Sequence, residues 1–145
     1  MDFFNKLTPE SIVVGGLVGV LILTIAGIII RRIIKHKKPD QFRQEWRDLQ
    51  KKLPHQENWA AAIIQADDLL ADALNKRKIK GKTVGEMLVN AERFFQEKDE
   101  VWFAHKLRKK LDEAPKTKLS KKDVKRALIG LRQAIKDLGA FDGKK

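Results

Sequence analysis

Residues Val101 to Glu113 hold the side chains of this chain best suited to chemistry, with His105, Arg108 and Asp112 set among apolar neighbours. At helical spacing Val101, Phe103, Ala104, Leu107 and Leu111 share one arc, and Arg108 falls inside it. A guanidinium there must be paired, because an isolated buried charge carries a heavy desolvation cost. Asp112, one turn on, is one partner in reach. Asp67, at the edge of the apolar arc of an earlier helical segment, is another. Asp67, His105, Arg108 and Asp112 are therefore expected to form an interhelical polar pocket. It is either a cross-helix salt bridge that fixes packing or a site where His105 and Arg108 meet an anion.

Cations form the second candidate constellation. Residues 39–145 hold 25 Lys and Arg against 17 Asp and Glu, and residues 105–126 alone hold ten cations against three acids. On a helical wheel Lys121, Lys125, Arg132 and Lys136 fall within about 60° of one another, beside an apolar face. With Arg108, Lys109 and Lys110 they make up the expected polyanion-binding set, suited to RNA, DNA or anionic lipid headgroups. Lysine outnumbers arginine in the patch and the chain has no tyrosine, so bidentate and stacking readout of base sequence is weakly supplied.

Other chemistries find no footing. His36, His55 and His105 are far apart and lack ligand partners at metal-binding spacing, so neither metal nor cofactor is expected. With no cysteine, disulfide and thiolate chemistry are excluded. Gly81, Lys82 and Thr83 lack the earlier glycine and the strand of a phosphate loop.

The elements that must position these residues read as helices throughout. Pro39 opens a mostly polar helix to Leu53, closed by Pro54, and residues 35–57 are expected to form a basic juxtamembrane segment and stalk. Asn58 begins a helix to about Lys76, whose Trp59, Ala62, Ile63, Ala66, Leu69, Leu70, Ala73 and Leu74 share one arc. Thr83 and Glu86 have capping-box spacing ahead of a helix with Val84, Met87, Leu88, Ala91, Phe94 and Phe95 on one side. The segment at 99–113 is the third. Ser120 and Asp123 start the last, which runs to Leu138 with Gly139 as its stop. The expected bundle occupies residues 58–140 as an antiparallel four-helix bundle, followed by a basic tail at 141–145.

Ahead of the bundle, Ile12 to Ile30 are nineteen residues without a charge, which predicts a transmembrane helix over 12–34. Arg31, Arg32, Lys35, Lys37 and Lys38 follow it as membrane-interface charges. By the positive-inside rule they place the carboxyl side in the cytoplasm, residues 1–11 outside, and the domain beside an anionic leaflet of the cell membrane. The span is too long and its start too neutral for a cleaved signal peptide. Gly15 and Gly19 make a small-xxx-small pair through which two copies could pack as a homodimer.

Trp59 to Leu74, Gly81 to Leu88, Val101 to Glu113 and the ending Asp137-Leu138-Gly139 together resemble the small HEPN-type helical domains of prokaryotic proteins, some of them membrane-anchored. Nuclease members carry R-N-x-x-x-H late in a bundle helix. Arg108 matches the arginine, while Lys109 and Glu113 stand at the asparagine and histidine positions. The resemblance thus implies a non-catalytic relative, since a glutamate is poorly suited to the histidine's acid–base work near neutral pH. The leading expectation is an adaptor or subunit of a membrane complex with a protein partner. A tethered RNA-binding module is the first alternative, and a divergent ribonuclease the second.

Overall fold

A computed structural model describes the backbone of residues 9–33 and 37–142 and the side chains of residues 13–26 and 37–142. It divides into two compact units, Met1–Lys35 and His36–Lys145. All regular structure among the described residues is helical: α1 (Pro9–Ile33), α2 (Pro39–Lys52), α3 (Trp59–Lys76), α4 (Val84–Ala91), α5 (Lys98–Glu113) and α6 (Lys121–Asp137), with 3-10 turns at Gln56–Asn58 and Glu92–Phe94.

The first unit is helix α1. The expected transmembrane helix is corrected here: among the described residues, no helix is long and apolar enough to cross a membrane. Side chains of α1 are described over Val13 to Ala26. A Cβ added at Gly15 or Gly19 would meet nothing within 4 Å, so no packing partner lies on that face among the described residues. The side chains of Arg31, Arg32 and Lys35 lie outside the described residues, as do residues 1–8 of the expected external tail.

In the second unit the expected stalk is corrected. Phe42, Trp46 and Leu49, at spacing i, i+4, i+7, are buried in the core, and Leu53 packs against it. One apolar stripe suffices to seat an otherwise polar helix, so α2 is a bundle helix. Lys37, expected at a membrane interface, is instead tied into this unit by Glu45 at 2.8 Å and Asp72 at 2.6 Å. Burial alone would lower the pKa of its ammonium, but the two carboxylates outweigh that and raise it. Lys38 is exposed, and its backbone N–H donates to Gln41 Oε1 at 2.8 Å where α2 begins.

The four long helices are thus α2, α3, α5 and α6, with α4 a short piece of eight residues. Helix α3 packs against α2, α5 and α6, and α5 packs against α6. Phe42 near the start of α2 lies under the Lys76 ammonium at the end of α3, while the Trp59 indole N–H at the start of α3 donates to the Leu53 carbonyl. These two helices therefore run antiparallel. Helices α3 and α6 run the same way, since Trp59 shares a recess with Val124 and Arg77 Nη1 donates to the Leu138 carbonyl at 3.2 Å. Phe141, expected in a basic tail, packs edge-on to Trp46 at 6.3 Å, and its carbonyl accepts from Arg43.

Caps set the helix ends. Thr83 Oγ1 accepts from the Glu86 N–H, and Glu86 returns a bond to the Lys82 N–H; Ser120 Oγ accepts from the Asp123 N–H. After α6 the chain turns at Gly139 (φ +72°), with the Ala140 N–H donating back to the Ile135 carbonyl, a six-to-one closure that favours glycine. The same closure ends α3, where the Ile79 N–H donates to the Leu74 carbonyl, but the left-handed position is held by Lys78 (φ +60°). Its Cβ pays a steric cost there that glycine does not. Lys78→Gly is expected to stabilise the unit by about 0.5–1 kcal/mol, a rise of a few degrees in Tm. Thermal melting followed by circular dichroism checks this, and an unchanged or lower Tm counts against a strained turn.

Helices α5 and α6 meet at Gly130. A Cβ built there would lie 3.0 Å from the Cβ and carbonyl oxygen of Glu100, so the absence of a side chain sets the crossing distance. Beside it, Arg126 Nε and Nη2 donate to the two Glu100 carboxylate oxygens at 2.7 and 2.8 Å, and the guanidinium stacks 4.0 Å over the Phe103 ring. The Arg126 hydrogen bond lowers the pKa of Glu100.

Candidate functional site

Helix α3 brings Asp67 into the core along with Ala66, Leu69 and Leu70, leaving it 2% exposed. Opposite it, α5 places His105 and Arg108 on the face that also buries Val101, Ala104 and Leu111. His105 Nδ1 lies 3.1 and 3.3 Å from the two Asp67 oxygens. An ionised carboxylate can only accept, so the hydrogen is assigned to Nδ1. Nε2 faces the start of α4, where a Cβ on Gly85 would come within 3.9 Å of it. Trp102 sits edge-on to the imidazole at 6.2 Å.

Arg108 is shared among three carboxylates. Its Nη1 donates to Asp112, Nη2 lies 3.4 Å from Asp68, and Nε lies 3.7 Å from Asp67. The last contact is coulombic only, because 3.7 Å exceeds hydrogen-bond range and Nε has no hydrogen-bond acceptor among the described residues. The four residues expected in a polar pocket, Asp67, His105, Arg108 and Asp112, do come together. Asp68 joins them as a 64% exposed side chain. Its position one residue after Asp67 places it at the rim of the same contact, which only the docking of α5 makes useful.

This arrangement sets one guanidinium, that of Arg108, expected in the polyanion-binding set, among three carboxylates. An Asp-oriented imidazole with its other nitrogen unpaired is the local geometry of a general base, yet Asp67, His105 and Arg108 line none of the three surface recesses described for this unit. No group of three metal-ligating residues occurs among the described residues.

The remaining expected cations are all exposed: Lys109 and Lys110 on α5, and Lys121, Lys125, Arg132 and Lys136 on α6. None of the six makes an ion pair among the described residues. Lys121, Lys125 and Arg132 flank an apolar recess of about 300 Å³ between α2 and α6, and Arg132 and Lys136 border a second of about 400 Å³. Sequence reasoning passed over Trp46, which lines both recesses. Its spacing from Phe42 and Leu49 was the available signal.

No protein-family model, curated protein or solved structure matches this chain.

Proposed function

We propose that residues 36–145 form a non-catalytic interaction module of adaptor type that holds a protein partner. The observation that supports this reading is the internal pairing of the polar cluster: Arg108 is spread over Asp67, Asp68 and Asp112 while His105 is tied to Asp67. Groups committed to one another hold helices in register more readily than they turn over a substrate. One surface open to contact is the α6 face, whose Lys121, Lys125, Arg132 and Lys136 make no ion pair among the described residues.

A second reading, an RNA or other polyanion-binding module of HEPN-like descent, is favoured by that same row of cations on α6. In such a domain Glu113, exposed at the end of α5, stands where a nuclease has histidine.

Affinity capture with the tagged 145-residue chain, before and after nuclease treatment and across a salt series, separates the two. An adaptor retains a stoichiometric protein partner through nuclease and moderate salt. Retention only of RNA, with affinity falling steeply as salt rises, would replace the adaptor by the polyanion module. Cleavage of the RNA without added metal would overturn the non-catalytic reading.

A further inference from the structure

We propose that the groove between α2 and α6 receives an acidic amphipathic helix of the partner protein, an assignment that rests on the interaction-module reading above. The floor of the 300 Å³ recess is apolar, made by Trp46, Leu53, Trp59, Val124 and Leu128, with Ile129 at its edge. Ile129 is 59% exposed, an aliphatic side chain left in water on a helix whose other apolar residues are buried. The recess is flanked by Lys121, Lys125 and Arg132 and has no acidic residue in its lining.

Beyond Arg132 the groove passes into the 400 Å³ recess, where Arg43, Arg47 and Lys136 add positive charge and Asp142 is the one carboxylate. Arg43 is already paired with Asp40 at 2.6 Å, and Arg47 donates to Gln44 at 2.8 Å. Gln44 is neutral, so Arg47 keeps its charge on α2, and the other cations of the two recesses without an ion pair among the described residues, Lys121, Lys125, Arg132 and Lys136, lie along α6. Lys121 to Lys136 spans about 22 Å at helical rise, the length of about four turns. The apolar floor lies beside Lys121, Lys125 and Arg132, about three of those turns, and the recess beyond is lined mostly by charged residues; a row of cations beside such a floor complements a helix with one apolar face and carboxylates along its border.

Two other features narrow the occupant. The chain carries a formal charge of +12, so a second copy would bring like charge to the same rim. Trp46 is 6% exposed, and a buried indole offers no face on which a nucleic-acid base could stack.

Fluorescence anisotropy tests the assignment with the 145-residue chain and a labelled 18-residue helical peptide bearing Leu at i, i+3, i+4 and i+7 and Glu along both borders. Controls are a scrambled peptide of the same composition and the same peptide with Lys for Glu. The expected result is saturable binding of the first peptide, at least tenfold weaker binding of both controls, and a tenfold or greater loss in Ile129→Glu and in Lys125→Glu/Arg132→Glu. These are exposed positions, so circular dichroism should show the variants folded. Equal binding of the scrambled peptide, equal competition by oligoadenylate or by anionic lipid vesicles, or indifference to Ile129→Glu would overturn the groove. A partner captured equally well by Ile129→Glu would overturn the groove while leaving the interaction module standing. Loss of every nuclease-resistant partner from the unmodified chain would overturn both.

Discussion

Phe42→Ala is expected to destabilise the 36–145 unit by about 3–5 kcal/mol, the range for truncating a fully buried aromatic ring. Phe42 is 0% exposed in the core that also contains Leu49, Leu70 and Leu74, and its ring lies 5.3 Å beneath the Lys76 ammonium. Truncation would remove the apolar area and leave a cavity between α2 and α3 that rigid helices close only in part. Urea unfolding of the 145-residue chain, followed by far-ultraviolet circular dichroism, reads this as a lower midpoint at unchanged slope. A helix that merely led into the bundle would tolerate the change within about 0.5 kcal/mol. The measurement thus decides whether α2 belongs to the core in solution.

Asp67→Ala should have the second largest effect, a loss of about 2–4 kcal/mol. Removing a buried carboxylate strands the donor bonded to it, His105 Nδ1, whose side chain is 10% exposed, and takes the nearest opposite charge, at 3.7 Å, from the buried Arg108 Nε. The cost falls below that of a fully buried pair because the Arg108 side chain is 27% exposed and keeps Asp68 and Asp112. Arg108→Met should cost less, about 1–2 kcal/mol, since Asp67 would still accept from His105. The double variant should fall short of the sum, as residues in one network do. Chemical denaturation of the two single variants and the double variant checks this. Additive losses, or a neutral Asp67→Ala, would count against Asp67 as the hub of the contact between α3 and α5.

Local pattern carried much of the helical unit. The apolar arcs of α3, α4, α5 and α6, the caps at Thr83 and Ser120 and the stop at Gly139 rest on interactions between residues three to five apart, and such spacing is readable in one dimension. Pairing Asp67 with His105 and Arg108 was also within reach, because a cation inside an apolar arc demands an acid and few acids border another arc.

The same reasoning misjudged α2. Its composition is polar, and the stripe of Phe42, Trp46 and Leu49 was outweighed by the charges around it, although three anchors bury a helix as effectively as seven when a groove is ready to receive them. Lys37 was misplaced for a related reason. Five clustered cations look alike in sequence, and the one that meets Asp72 does so only because α2 folds back along α3.

Helix positions, their buried faces, their ends and the strong positive balance all follow from neighbours along the chain, so they belong to the amino-acid sequence. The reach of Arg108 to Asp68, 40 positions away, the close approach of Gly130 to Glu100 and the groove over Trp46 lie between helices. They arise only when separate helices dock, since the partner that satisfies a charge or covers an apolar surface is chosen by packing in three dimensions.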